Sequence, residues 1–240
     1  MKKQRKNLKM IKLKSIIILG LVVLTIGIIG LVNISEAQGA GDSEIVLTWE
    51  ADSFYPADYK GKAAAVFNSS VSVSATILRD GKFVDASDLK FFWYLDNKFY
   101  RKGVGLNEIN FDVEKLEQDE YFLRMAVVID GERVENSITI PTGGRELVIE
   151  NPHPSNFVKL GEEVHLEAIP YFFNVNSLNA LSFSWSIDNV VNKQQKANSL
   201  ILNIGDANSL KGTNVLVTGM AVNKNNPTES ARSNLRLKIR

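Results

Sequence analysis

The sequence predicts an all-β protein: two tandem β-sandwiches behind one apolar N-terminal helix. Three observations carry this expectation. Beyond residue 43, short runs alternate apolar and polar residues and are rich in Val, Ile, Phe and Thr, which is the strand signature. Asp-Gly pairs punctuate the runs. A tryptophan-centred phrase also recurs, FFWYLDN at 91–97 and FSWSIDN at 183–189, placing Trp93 and Trp185 92 positions apart.

The elements follow in chain order. Seven basic residues crowd the first 14 positions with no acidic residue among them. Ile16–Val32 then runs for 17 residues without a charge, and a helix of that length spans roughly 25 Å of a ~30 Å bilayer core. This reads as a basic cytoplasmic tail (1–14) and a transmembrane helix or signal core (15–34), with the positive flank inside and the remainder outside. Two alternatives stay open: a retained anchor, or cleavage after Ser35-Glu36-Ala37, whose small residues suit a signal-peptide site. Residues 35–43 form a tether.

In the first sandwich, residues 44–141, Val71, Val73, Ala75 and Ile77 share one face, with Ser72, Ser74 and Thr76 on the other. Asp80-Gly81 and Asp130-Gly131 predict tight hairpins. The second sandwich, residues 145–240, repeats this order. Leu89, Phe91, Trp93 and Leu95 answer to Leu181, Phe183, Trp185 and Ile187 at an offset of 92. Ile109, Phe111 and Val113 answer to Leu200, Leu202 and Ile204 at 91, and Leu123, Val127 and Ile129 to Leu216, Met220 and Val222 at 93. Residues 142–144 read as a glycine-containing hinge.

These residues resemble immunoglobulin-like modules of the PKD type, found on bacterial and archaeal surface proteins. The resemblance implies a Trp packed between the sheets, as Trp93 and Trp185 would be, and a tyrosine corner at Tyr121 in QDEYFLRMAVVID. The matching position in KGTNVLVTGMAVN is Asn214, so the corner is not carried over. The implied fold is two tandem immunoglobulin-like β-sandwiches preceded by one transmembrane or signal helix. The implied roles are adhesion, spacing and assembly at a cell surface.

Composition narrows the function classes. Net charge is +1, but removing the seven N-terminal cations leaves 21 basic against 27 acidic residues, a balance of −6 that argues against nucleic acid. There is no cysteine, which excludes disulfides and thiolate chemistry. His153 and His165 are the only histidines, too few for a histidine metal site. Asp96-Asn97 and Asp188-Asn189 offer oxygens that could serve calcium, although such a pair equally suits a turn. No nucleophile elbow or phosphate-binding loop appears. No catalytic residue, cofactor or metal site is therefore expected, and the protein reads as non-enzymatic.

Aromatics point to a contact surface. Alternation sends Phe92 and Tyr94 away from the core, where the second copy has Ser184 and Ser186. The expectation is burial of Phe92 and Tyr94 under segment 52–67, or else a partner or interdomain contact. That segment lacks an equal-length counterpart in the second sandwich, and module-specific loops are where contacts concentrate. The candidate contact residues are Phe54, Tyr55, Tyr59, Phe92 and Tyr94, and the partner is a protein or a surface polymer. Competing readings are a pilus-like or secretion-apparatus subunit and, more remotely, a surface hydrolase.

Overall fold

The computed structural model describes residues 43–194 and 197–240. The basic tail, the apolar helix and nearly all of the tether lie outside the described residues. Among those described, no helix is long and apolar enough to cross a membrane.

The first half builds β1 (Ser43–Ala51), β2 (Ala65–Val66), β3 (Ser70–Arg79), β4 (Lys82–Phe83), β5 (Lys90–Leu95), β6 (Lys98–Val104), β7 (Glu108–Asp112), β8 (Glu120–Ile129) and β9 (Glu132–Gly143). One sheet pairs β3 with β1, β4 and β7, and the facing sheet has the order β2-β9-β8-β5-β6. Between them lies one apolar core holding Val71, Val73, Ile77, Phe91, Trp93, Leu123 and Met125. Burial alternates strictly along β3, as expected of a strand with one wet face.

The second half builds β10 (Glu146–Glu150), β11 (Phe157–Val158), β12 (Glu163–Tyr171), β13 (Leu181–Ile187), β14 (Val190–Asn192), β15 (Ser199–Asn203), β16 (Asn214–Asn223) and β17 (Ser230–Ile239). Its sheets run β10-β12-β15 and β11-β17-β16-β13-β14, around a separate core that holds Trp185. The two halves share one topology. In each, a two-residue strand pairs in parallel with the last strand, Ala65 with Thr142 and Phe157 with Lys238.

The tryptophan phrase has a mechanical explanation. Each indole is buried and donates Nε1–H to a backbone carbonyl, Trp93 to Leu106 at 2.8 Å and Trp185 to Ala197 at 3.0 Å. The Asp-Asn that follows takes positive φ at both residues (49° and 63°, then 48° and 66°), closing a two-residue hairpin. The aspartates also grip the neighbouring strand. Asp96 Oδ1 accepts the Phe122 amide at 3.0 Å, and Asp188 Oδ1 accepts the Leu216 amide at 2.9 Å. The repeated Asp-Asn thus closes a hairpin and ties it to the neighbouring strand in both halves.

Three expectations change. The third offset is 94, not 93. Leu95 pairs with Leu123 and Ile187 with Val217, so Leu123 answers to Val217 and Val127 to Ala221. A one-residue slip exchanges the faces of a strand, and Met220 is accordingly exposed while Val217 and Ala221 are buried. The same shift makes Val215, rather than Asn214, the counterpart of Tyr121. Finally, the expected hinge at 142–144 is largely strand. β9 continues through Gly143, and Thr142 Oγ1 both accepts the Asp119 amide at 3.0 Å and donates to the Asp119 carbonyl at 2.8 Å.

Candidate functional site

The loop between β1 and β2 is where the two sandwiches meet. Its base is held by the first. Asp52 Oδ1 accepts the Ser70 amide at 2.8 Å, Ser53 Oγ donates to the Ala64 carbonyl at 2.7 Å, and Lys62 lies 3.8 Å over the Trp49 ring. Burial lowers the Lys62 pKa, opposed by the charge of Glu50.

The tip crosses to the second sandwich. Phe54 forms an antiparallel bridge with Phe173, donating its amide to the Phe173 carbonyl at 2.7 Å, and its own carbonyl accepts the Phe172 amide. Tyr59 then packs on Tyr171 and Phe172, with ring centroids 5.5 and 5.7 Å apart. Phe172 holds φ at +62°, an uncommon conformation for a bulky residue.

A polar clamp reinforces the junction. Arg145 Nη2 and Asn174 Nδ2 both donate to the Phe67 carbonyl, at 2.7 and 3.0 Å. Behind them, Glu229 is almost fully buried and faces Arg145 Nε at 3.1 Å, while accepting from Asn223 Nδ2 at 2.8 Å and from the Asn174 amide. A buried carboxylate survives only with such partners.

Between the loop tip and β10-β12-β15 lies a groove of about 500 Å³. Phe54, Tyr55 and Pro56 form one wall, Ile169 and Pro170 the floor, and Asp58, Glu150 and Glu167 supply charge. A second depression of about 450 Å³, bounded by Glu150, His165 and Glu167, continues along the same sheet. Asn198 Nδ2 donates to Glu167 Oε1 at 3.0 Å. Burial and the carboxylates of Asp58 and Glu150 hold the Tyr171 hydroxyl above its ordinary pKa. The surface therefore combines aromatic area with hydrogen-bond acceptors and negative charge.

The expected contact residues divide between two places. Phe54, Tyr55 and Tyr59 sit at this junction, with Tyr55 43% exposed. Phe92 and Tyr94 lie on the outer face of the sheet β2-β9-β8-β5-β6. They are not covered by segment 52–67. Arg124 lies 4.0 Å over the Tyr94 ring, Arg133 5.3 Å over Phe92, and Arg133 Nη2 donates to Tyr94 Oη at 3.3 Å. Glu135 accepts from Arg124 Nη1 at 2.8 Å and Arg133 Nε at 2.6 Å. Its partial burial would raise the carboxyl pKa, but the two guanidiniums outweigh that and hold it low. Cation–π contact of this kind suits a half-exposed aromatic face.

The remaining residues serve the frame. Tyr121 is buried, and its hydroxyl accepts the Glu114 and Lys115 amides at 2.8 and 3.1 Å, forming a corner before β8. His153 meets Glu162 at 3.1 Å and His165 meets Glu163 at 2.8 Å. Among the described residues, no three metal-ligating side chains converge. The loop-to-Phe173 bridge and the Arg145–Glu229 clamp escape a reading of the sequence because they join residues far apart in the chain.

Strand order and the facing sheets define the class: immunoglobulin-like β-sandwiches, in which a sheet of four strands in the first half and three in the second faces a sheet completed by a short parallel strand. No known family's sequence profile matches the chain, and no curated protein matches it. Solved structures resemble it in strand arrangement. The three N-terminal domains of the bacteriophage RB49 highly immunogenic outer capsid protein share 13% identity over 82% of this chain, with a TM-score of 0.43; this chain spans 59% of that one. Clostridium thermocellum CbhA fibronectin(III)-like modules share 12% over 80% of this chain and 95% of theirs, TM-score 0.28. The amphioxus IgVJ-C2 molecule shares 11% over 82% and 97%, TM-score 0.29.

Proposed function

We propose that the chain is a non-enzymatic surface module, tethered in a membrane by residues 15–34, that holds two immunoglobulin-like sandwiches outside the cytoplasm for adhesion, scaffolding or assembly. The observation that carries this reading is the groove where the first sandwich's loop docks on the second. It offers aromatic walls and carboxylate acceptors, yet it brings together no nucleophile with a base. Such a surface recognises a protein or a polymer rather than transforming a substrate. The charge-free run Ile16–Val32 behind seven cations supports the tether and its orientation.

Fractionation with surface proteolysis tests the reading. The chain should sediment with membranes and need detergent for release. Protease added outside intact cells should remove residues 43–240. Recovery in the cytosol, or full protection from that protease, would contradict it.

A further inference from the structure

Two outward sheet faces of this chain carry opposite charge around apolar side chains. The first is the outer face of β9-β8-β5-β6. Lys90, Lys102, Arg124 and Arg133 surround Phe92 and Tyr94 there, and Glu135, the carboxylate among them, is already shared by both arginines. Among the described residues, neither Lys90 nor Lys102 joins an ion pair. The face ends at β6, the free edge of its sheet, where Phe99 is 56% and Val104 65% exposed. A free edge with open backbone groups invites a neighbour.

The second is the outer face of β10-β12-β15, which contains the groove. Because Leu147, Ile149, Val164, Leu166 and Leu200 point into the core, alternation turns Glu146, Glu150, Glu163 and Glu167 outward. Val148, Ile169 and Ile201 stand among them. No lysine or arginine occurs in any of the three strands. Glu150 is paired directly opposite Glu167, a like-charge arrangement that an approaching cation relieves. The corresponding strand of the first sandwich, β3, presents Ser72, Ser74 and Thr76 instead.

We propose that the basic, aromatic face of one copy docks on the acidic groove face of a second copy, joining chains head to tail. Charge complementarity selects this occupant: a neutral polymer would leave Glu150 and Glu167 opposed, whereas Lys90 and Lys102 neutralise them. The two faces differ, so each copy of a pair keeps its other face free, and the contact propagates instead of closing as a two-fold dimer. The inference rests on the surface-module reading only for its setting, in which tethering in one membrane raises the local concentration of copies.

The test is a charge exchange on the full chain in detergent micelles, followed by sedimentation velocity. One variant carries Lys90→Glu and Lys102→Glu; the other carries Glu150→Lys and Glu167→Lys. The wild type should associate with rising concentration at low salt and separate at about 1 M salt, where screening acts beyond about 3 Å. Each variant alone should associate about tenfold more weakly or worse. Their mixture should recover association, because the unaltered basic face of one variant meets the unaltered acidic face of the other and their two reversed faces also match; this recovery also shows that both are folded. A mixture no larger than its components overturns the proposal, as does a wild type that stays monodisperse at low salt. So does a groove that takes up poly-lysine while copies fail to pair. A monodisperse wild type whose residues 43–240 are still removed from intact cells would reject the pairing and leave the surface reading standing.

Discussion

At the scale of the residue, the two halves reuse one device: a buried indole with its N–H satisfied, then an aspartate that grips the next strand. Trp93→Ala and Trp185→Ala should each cost roughly 3–5 kcal/mol, as for large aromatics removed from a core, measured by denaturant unfolding. Intact stability with lost binding would mean that the tryptophans serve a partner instead. Tyr121 acts through its hydroxyl rather than its ring alone. Tyr121→Phe removes the acceptor of two amides and should cost about 1 kcal/mol or somewhat more. Changing Val215 to Ala, which has no such hydroxyl to lose, should report packing only. The burial of both tryptophans follows from local alternation, whereas the corner at Tyr121 is what the family resemblance implies rather than something the pattern alone shows.

At the scale of the element, legibility depended on how far apart the partners lie in the chain. Alternation along Val71–Ile77 and the Asp-Gly turns are local, and the structure places them as strands and hairpins. The register of β16 lies one residue from the sequence expectation because Leu216, Met220 and Val222 are themselves apolar and imitate an inward face. What assigns the faces is Gly219, paired opposite Trp185, where an added Cβ would come within 3.3 Å of the indole. The docking of the β1–β2 loop was not legible, since nothing in DSFYPADYKGKAAAVF names Phe173 as its partner. The guanidinium cover of Phe92 and Tyr94 likewise needs the pairing of β5 with β8 and of β8 with β9. The clamp yields its own expectation. Arg145→Ala should destabilise by about 3 kcal/mol, because it strands the buried Glu229 carboxylate. Adding Glu229→Gln should restore part of that loss in the same unfolding measurement. If the double variant is no more stable than the single, Glu229 is not held by charge.

At the scale of the whole molecule, two cores share one junction, and the contact surface exists only while that junction holds. The boundary matters here. A fragment of residues 43–144 should fold cooperatively, whereas one ending at Pro141 should be clearly less stable, because it loses the pairing of Thr142 and Gly143 with β2. Equal unfolding midpoints for the two fragments would contradict the role given to those residues. The loop and the Arg145–Glu229 clamp together hold the two sandwiches as one groove-forming body. The chain has no cysteine, so Ser74→Cys and Asn203→Cys can carry a pair of spin labels, one on each sandwich. Pulsed electron-spin distance measurement should give one narrow distribution, which broadens when Arg145→Ala is added. A broad distribution in the otherwise unaltered chain would contradict the claim directly.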